Sequence, residues 1–312
     1  MDAIDGLLDG PRARGAFLLR VELDAPWAMR IEDEAPLSLI AVTRGEAWVT
    51  ANTATPRQVC SGDVLVALGP TPYALADDLA TSTQVIIRPG PSCVSVTGQR
   101  LDEPLDPETG DWRTRSHGYS AVRTWGNTAE GSTELLVGTY RMRSAVGQRL
   151  TSALPTLAVL PGFADRSSLF GLLGEEIAKD DPGQDVVLDR LLDLLLVEAL
   201  RAWFAGPGSK APRWYRARDD PAIGPALAAA ARMSRAAFAR RFTELVGEPP
   251  MTFLAGWRLA MAADLLRDTD ATLDAVARNV GYSSPFALSA AFKRVHGVSP
   301  QEHRRSAQAA AV

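Results

Sequence analysis

The hydrophobic pattern of this 312-residue chain changes once, after Arg149, and that change limits the folds the chain can adopt. From Phe17 to about Tyr140, short segments of alternating apolar and polar residues are separated by turn sequences such as "TRGE", "SGD" and "RPGPS". After Arg149, apolar residues recur every three or four positions, which is the period of an amphipathic helix. The pattern therefore predicts an N-terminal antiparallel sandwich or barrel followed by helices.

The charged residues are divided along the chain in a similar way. Residues 1–205 hold 18 basic and 28 acidic residues, a balance of −10, whereas residues 206–312 hold 15 and 9, a balance of +6. Phosphate neutralisation by Lys and Arg supplies most of the non-specific affinity of proteins for DNA. A basic C-terminal third is therefore typical of a DNA-binding domain tethered to a regulatory domain, although a solvated basic face would give the same count.

The N-terminal sequence and the most apolar run argue against export and membrane insertion. The opening residues "MDAIDGLLDG" carry acids where a secretory signal has bases. The run "VVLDRLLDLLLVEALRAWF" is interrupted by Asp189, Arg190, Asp193 and Glu198, which bilayer insertion penalises. Two cysteines without a CxxC pattern indicate neither a disulfide framework nor a zinc site. We expect a cytoplasmic protein that does not contact a membrane.

The same run predicts a long helix that is apolar on more than one side. One side can cover the sheet domain, and the other is then available to a second subunit. A helix buried wholly within its own chain is the alternative. The homodimer interpretation assigns the contact between subunits to four leucines, Leu188, Leu191, Leu192 and Leu195. The next stretch, "AGPGSKAPRWYRARDDP", is rich in Gly, Pro and charge and predicts an interdomain linker.

A helix-turn-helix pattern lies near the C-terminus, in "TLDAVARNVGYSSPFALSAAFKRVHG". A short helix ends at Gly281, a tight turn follows, and Ser284 with Pro285 opens a second helix whose Leu288 and Phe292 point inward. In this motif the first helix supports the second, and the second enters the major groove of DNA. The pattern therefore predicts that the chain binds double-stranded DNA.

Polar and basic side chains around this motif are candidates for contacts with phosphate. Ser283 or Ser284 lies at the helix start, where free backbone N–H groups also gather. Further contacts with the DNA backbone are predicted for four basic residues, Lys293, Arg294, Arg304 and Arg305. A helix that precedes the motif, "SRAAFARRFTELVG", begins at a Ser cap, and "PPMTFLAGWRLAMAADLLRD" predicts a long helix begun by prolines and a Thr cap.

The segment "GYSSPFALSAAFKRVHGVSPQEHRR", with "SRAAFARRFTELVGEPPMTFLAGWRLAMAADLLRDT" before it, closely resembles the C-terminal domain of the AraC/XylS family of bacterial transcription regulators. The first two hundred residues resemble the cupin-type sensing domain of one subgroup of that family, through "RVELDAPWAMRIE", "SGDVLVALGPTPYALADD" and "ELLVGTY". The resemblance implies an α+β chain with a cupin-like antiparallel β-barrel and a helical dimerisation segment in residues 1–205. A linker at 206–218 and an all-α tandem helix-turn-helix domain at 219–312 would follow.

The resemblance also implies which residues read bases. In the second unit these positions fall on Pro285, Phe286, Ser289 and Ala290, so that readout would rest on thymine methyl groups and DNA shape. In the first unit, Arg240 is equipped to bind a guanine edge, with a phosphate contact or a solvated side chain as alternatives. The first unit's other DNA-binding positions are Arg235, Ala236 and Ala239.

The first unit departs from the family pattern. Compared with the family, "PAIGPALAAAARMSRAAFARRF" is shorter by roughly fifteen to twenty residues, more than loop variation usually explains. Either this stretch forms one continuous helix with an impaired first unit, or part of the segment has been removed.

The N-terminal domain offers few residues for metal or redox chemistry. Metal-binding cupins need several His and a Glu, but Gly69 and Tyr73 stand where such relatives place histidines, so we predict no metal and no cofactor. Cys60 and Cys93 are expected to be buried apolar residues on strands. An oxidant-sensing pair, in which one thiolate is attacked and the other resolves it, is the alternative.

Together these features predict a sequence-specific DNA-binding transcription regulator whose N-terminal domain responds to a small effector or a redox signal. Expected partners are double-stranded DNA, a second copy of the chain and an unknown effector, with RNA polymerase as a further candidate. An interaction protein of the same family that does not bind DNA is the alternative. A cupin-type enzyme built on Tyr73, Asp77 and Asp78 is more distant, because no phosphate loop, nucleophile elbow or metal quartet is present.

Overall fold

The computed structural model describes residues 17–51, 55–90, 92–101, 113–117, 120–128, 130–140, 154–179, 181–206, 213, 215 and 234–309. The described strands and the helices up to Gly206 belong to one compact unit, and the helices from Ser234 onward belong to a second. The segment that we predict to be shortened, before Ser234, lies outside the described residues.

The first unit contains two β-sheets that share one apolar core. Its strands are β1 (Phe17–Leu23), β2 (Ala28–Ile31), β3 (Leu37–Arg44), β4 (Glu46–Ala51), β5 (Arg57–Cys60), β6 (Val64–Leu68), β7 (Tyr73–Ala76), β8 (Val85–Arg88), β9 (Ser92–Ser95), β10 (Arg113–His117), β11 (Ser120–Gly126), β12 (Thr133–Tyr140) and β13 (Leu157–Leu160). Sheet A has the order β10-β11-β1-β12-β3-β6-β13, and sheet B has the order β5-β4-β7-β2-β8-β9. Alternate residues of both sheets, such as Ile40 and Leu135 of sheet A and Val49 and Leu75 of sheet B, form one buried cluster.

The expectation of an antiparallel β-barrel was right in class and wrong in detail. Within the described residues the two sheets remain open, and each contains one parallel pair, β1 with β11 and β2 with β8. Alternation of apolar and polar residues shows that a segment is a half-buried strand, but it does not show which strand pairs with it. Strands β2 and β13, of four residues each, were not predicted from the pattern.

Three helices complete the first unit: α1 (Phe163–Arg166), α2 (Ser168–Ile177) and α3 (Gln184–Ala205). A serine caps α2, since the side chain of Ser167 accepts a hydrogen bond from the backbone N–H of Leu169. Helix α3 lies against β12 of sheet A. The hydroxyl of Tyr140 donates to the carbonyl of Leu192 at 2.8 Å, and a Cβ atom at Gly138 would lie 2.7 Å from a methyl carbon of Leu192. The glycine therefore allows the close approach of helix and sheet.

This packing changes the surface that α3 can offer to a partner. Leu188, Leu192 and Leu195, which we assigned to a subunit contact, are at most 2% exposed, and Leu191 is half-buried. The first three are covered by their own chain, so they cannot form an interface without unpacking. Large apolar residues that are exposed lie instead at Leu172 of α2 and at three positions of α3, Val186, Val187 and Leu194.

The second unit is helical. Its helices are α4 (Arg235–Val246), α5 (Pro250–Asp268), α6 (Leu273–Asn279), α7 (Pro285–His296) and α8 (Pro300–Ala309). Helix α5 joins two apolar clusters: Phe253 packs with Phe242 of α4, and Leu259 and Leu266 pack with α6 and α7. The expected Thr cap of α5 is wrong, because Pro249 occupies the cap position and Pro250 opens the helix. Among the described helices, none is long and apolar enough to cross a bilayer.

Candidate nucleic-acid interface

Helices α6 and α7 form the predicted helix-turn-helix. Thr272 caps α6, and Gly281 takes a left-handed backbone conformation, with φ of +77°, at the turn. The guanidinium of Arg258, from α5, lies against this glycine, at 3.0 Å from the position that a Cβ atom would occupy. The turn is closed by a hydrogen bond of 2.8 Å from the backbone N–H of Tyr282 to the carbonyl of Ala277. The left-handed backbone conformation therefore favours glycine here, and any side chain would also have to displace the Arg258 guanidinium.

Helix α7 begins as the sequence indicates. The hydroxyl of Ser284 accepts a hydrogen bond of 3.2 Å from the backbone N–H of Ala287, and Pro285 is the first helical residue. The inward face is fully buried at Leu288 and Phe292, which are both 0% exposed. The ring of Phe292 contacts His303 of α8 and His296 of its own helix, and the cluster that it shares with Val276 and Ala277 packs α7 against α6.

The outward face of α7 is apolar at its start and basic at its end. Phe286, Ala290 and Lys293 lie within about 60° of one another around the helix, on the side opposite Leu288 and Phe292. All three are exposed, as is Arg294, whereas Pro285 and Ser289 are half-buried. Phe286 has 84% of its surface exposed, the largest fraction among the exposed large apolar residues of the described chain.

Helix α4 repeats the construction of α7 fifty residues earlier. Ser234 caps α4 with a hydrogen bond of 3.2 Å to Ala237, as Ser284 caps α7. Both helices have twelve residues and end at a glycine with positive φ, and a proline begins the next helix three residues later. Phe242 is buried in α4 at the position of Phe292 in α7. The second unit therefore contains two similar helices, although the support for α4 before Ser234 lies outside the described residues.

The two helices differ at the exposed positions that follow the cap. Ala236 and Arg240 are exposed in α4, where α7 has Phe286 and Ala290. Ala239 is half-buried, and its carbonyl accepts a hydrogen bond from the hydroxyl of Thr243. For Arg235, only the helical backbone is described.

Most other arginines of this unit are engaged within the protein. Arg267 bonds Asp264 and Asp268 at 2.9 Å each, and Arg278 bonds Asp274 at 2.7 Å. Arg304, which we predicted to contact phosphate, donates instead to the carbonyls of Leu266 and Ala271, at 3.2 and 2.5 Å. It ties the end of α5 to the loop before α6, a structural role that composition could not indicate.

Four cations of the described helices of this unit remain for a ligand. Arg240, Lys293, Arg294 and Arg305 are exposed and make no ion pair with any residue that the structure describes. Such side chains can neutralise phosphate without first breaking an internal contact. The first three lie on α4 and α7, whose opening turns carry the predicted reading positions, and Arg305 lies on α8.

Among the described residues of the first unit, a cavity of about 240 Å³ lies in sheet B. It lies among β2, β4 and β7 of sheet B, and its lining residues are Arg30, Thr50, Ala51, Pro72, Tyr73 and Ala74. Burial and the neighbouring Asp33 carboxylate raise the pKa of the Tyr73 hydroxyl, which interacts with Ser38.

The residues considered for an enzyme do not meet at this cavity. Tyr73 begins β7 and Asp77 follows the last residue of that strand, so the acidic residues lie at the other end of the strand. No group of three metal-binding side chains was found among the described residues.

The two cysteines are far apart in sheet B. Cys60 ends β5 at one edge and is exposed, whereas Cys93 lies in β9 at the opposite edge and packs against the core. Five strand spacings of about 4.8 Å separate these edges, roughly 24 Å along the sheet. A disulfide needs Cα atoms within about 7 Å, so the attacking and resolving pair that we considered does not fit this protomer.

Comparison with known proteins identifies both regions. A family model described as "Cupin" matches residues 2–205, and one described as "Helix-turn-helix domain" matches residues 227–306. A putative AraC-like transcription regulator from Streptomyces antibioticus is 23% identical over 98% of this chain and 99% of its own length. The HTH-type transcriptional regulator AlkR from Acinetobacter baylyi is 24% identical over the same shares of the two chains.

Solved structures give matches to one or both regions. The DNA-binding domain of AdpA, in complex with a target DNA, is 41% identical over 28% of this chain and 78% of that chain, with a TM-score of 0.26. ToxT from Vibrio cholerae is 11% identical over 93% of this chain and 96% of its own, with a TM-score of 0.32. The two family models and the full-length relatives carry the assignment: the chain belongs to the AraC-like transcription regulators that join an N-terminal cupin domain to a C-terminal helix-turn-helix DNA-binding domain.

Proposed function

We propose that this regulator binds duplex DNA by placing α4 and α7 in the major groove, with residues 1–205 as the sensing domain and 219–312 as the DNA-binding domain. One observation carries the proposal: two similarly capped helices of one unit expose Arg240, Lys293 and Arg294, which have no ion pair among the described residues. Arg235 and the hydroxyls of Ser283 and Ser284 are further proposed contacts with the DNA backbone.

The salt dependence of DNA affinity tests the proposal, when it is compared between the wild type and a variant that lacks two basic side chains. The full-length protein would be titrated onto its own upstream DNA at several salt concentrations. The double variant Lys293→Ala/Arg294→Ala is expected to lower the slope of log K against log salt by about 1.8, at about 0.9 for each lost phosphate contact. The control variant Arg57→Ala/Arg88→Ala removes the same charge from exposed positions of sheet B and should leave the slope unchanged.

The same experiment separates the alternative function. A protein of this family that serves only as an interaction partner would bind DNA weakly, and its affinity would not depend on Lys293 or Arg294. Binding that is equally weak in wild type and double variant at low salt would contradict the proposed function.

The sensing domain is proposed to hold its effector in the sheet B cavity. The volume of about 240 Å³ lies below the roughly 300–1,000 Å³ of pockets for drug-sized ligands, so the proposed effector is smaller than these. Thr50→Trp, which would fill the cavity from β4, should abolish the response of a reporter promoter to the effector while DNA binding persists.

We propose a regulatory role without catalysis, in the cytoplasm, with RNA polymerase as the further protein partner. Oxidation of Cys60 or Cys93 individually remains a second proposed signal.

Homodimerisation is proposed through the exposed side of α3 and not through its buried leucines. Val187 and Leu194 are seven residues apart, hence on the same side of the helix, and are 44% and 52% exposed. Leu194→Asp should yield a monomer in sedimentation experiments. Leu79→Asp is a matched control, because Leu79 is 51% exposed outside these helices. An unchanged oligomeric state in Leu194→Asp would contradict this surface.

A further inference from the structure

We infer that Phe286 recognises the 5-methyl group of a pyrimidine, normally thymine, in the part of the operator that α7 contacts. The inference rests on the proposed function, since it assumes that α7 enters the major groove. Beyond the proposed function, the inference names the class of base that the second helix-turn-helix unit selects. It also names the side chain that selects this base.

Exposure singles out Phe286 among the reading positions. Its ring is 84% exposed, although the phenyl groups of Phe242 and Phe292 in the same unit are 2% and 0% exposed. Position and backbone fix it there: Ser284 caps the helix, Pro285 is the first helical residue, and Phe286 follows on the side opposite Leu288 and Phe292. An aromatic side chain left in water at a rigid helix start gains free energy only when a ligand covers it.

The neighbours of Phe286 specify what the ligand is. Along the same face, Ala290 is exposed and apolar, and Lys293 and Arg294 are exposed and cationic. A purely apolar protein partner would leave these charges unpaired, whereas duplex DNA offers phosphates at the groove edge and an apolar methyl group on its floor. Charge complementarity therefore favours the major groove of DNA as the occupant.

The opening turns of this face, before Lys293 and Arg294, lack the groups that read other bases. Guanine is read by Arg or Lys, adenine by Asn or Gln, and cytosine by Asp or Glu. Neither Phe286 nor Ala290 can donate or accept a hydrogen bond, and Ser289 is half-buried. The thymine methyl group is the major-groove feature that an exposed phenyl group can recognise by contact.

Helix α4 provides an internal contrast. At the positions that correspond to Phe286 and Ala290, it has Ala236 and Arg240. The large apolar group and the cation are thus on different helices, so the two units would select different bases. Methyl recognition is assigned to α7 alone.

Replacement of thymine by deoxyuridine tests the inference, because it removes only the methyl group. A duplex would first be selected by the full-length protein from a randomised library, and each thymine would then be replaced singly. One or two positions are expected to weaken wild-type binding about fourfold, the factor that corresponds to one buried methyl group. At those positions, 5-methylcytosine should bind about fourfold better than cytosine.

Two variants link the methyl group to Phe286. Phe286→Ala should bind the thymine duplex about tenfold more weakly and should no longer distinguish thymine from deoxyuridine. Val295→Ala is the matched control: Val295 is 59% exposed on the same helix but on the opposite side, so its sensitivity to deoxyuridine should equal that of wild type. Thermal unfolding would verify that both variants fold.

The outcomes separate this inference from the proposed function. Steep salt dependence without an effect of deoxyuridine at any position overturns the inference and leaves DNA binding intact. An equal loss in wild type and Phe286→Ala also overturns it, as would normal DNA binding by Phe286→Ala, which would assign the ring to a protein partner. Failure to select any duplex would overturn the proposed function itself.

Discussion

Helices α4 and α7 share a construction but differ in what they expose and in what supports them. Each begins at a Ser cap, has twelve residues and ends at a glycine. Behind α7, ten buried residues form an apolar cluster, whereas Phe242 is the one fully buried member of the described cluster behind α4. The caps and the buried face fix each helix independently of its outer residues. Helices of the same construction can therefore expose either an arginine or a phenylalanine.

The largest expected effect concerns the buried phenylalanines. Phe292→Ala should lower the free energy of unfolding by about 3–5 kcal/mol, the usual range for a fully buried ring. Phe242→Ala should have a smaller effect, because its neighbours Phe238, Leu245, Val246 and Phe253 are only partly buried. Denaturant titration of the full chain measures both. Phe286→Ala is the control and should change the free energy by less than about 0.5 kcal/mol.

The next effect concerns Arg240, which stands in α4 at the position where α7 has Ala290. If Arg240 binds a guanine edge, Arg240→Ala should lower discrimination at one base pair by about 1–3 kcal/mol. If it binds phosphate, all sequences should weaken equally and the salt slope should fall by about 0.9. Arg241→Ala is the control, since the Arg241 side chain forms an ion pair with Glu244 at 3.5 Å. Competition titrations with single base-pair changes distinguish the guanine contact from the phosphate contact. If Arg240→Ala changed neither discrimination nor the salt slope, both contacts would be contradicted.

The turn before α7 should be sensitive to any side chain. Gly281→Ala places a methyl group in a left-handed conformation beside the Arg258 guanidinium and should cost about 1 kcal/mol or more of unfolding free energy. Gly297→Ala shares the positive φ, but no atom lies within 4 Å of the new methyl group. Thermal unfolding should therefore show a larger loss for Gly281→Ala. Equal losses would mean that Arg258 moves away freely.

The smallest expected loss of unfolding free energy concerns the Ser caps, and it should be the same for α4 and α7. Ser234→Ala and Ser284→Ala each remove one cap hydrogen bond of 3.2 Å, and each should cost about 1 kcal/mol. Thermal unfolding of the single and double variants would measure this, with additive losses expected for caps on separate helices. A much larger loss for one serine would show that the two caps are not equivalent.

Local patterns in the sequence predicted the parts that depend on neighbouring residues. The caps at Ser234 and Ser284, the end of α6 before Gly281 and the inward positions Leu288 and Phe292 are all confirmed. Each follows from hydrogen bonds or side-chain spacing within one or two turns of helix. The family resemblance and the β-rich N-terminal half are confirmed as well.

Features that depend on distant contacts could not be predicted in the same way. The four leucines of α3 looked equally suited to a partner, but packing within the first unit buries three of them and leaves Val187 and Leu194 exposed. Arg304 looked like a phosphate ligand until its contacts with Leu266 and Ala271 were known. Periodicity identifies an apolar side, but it does not identify what covers that side.

The sequence by itself determined the period of most segments, the charge division, the Ser caps of α4 and α7 and the family, since these follow from local chemistry and motif spacing. Only the tertiary structure decided that two open sheets replace a closed barrel in the described residues, that Cys60 and Cys93 lie on opposite edges of sheet B, and that Arg304 binds the carbonyls of Leu266 and Ala271. The reason is physical: strand pairing and burial depend on residues far apart in the chain, and these are brought together only when the whole core forms.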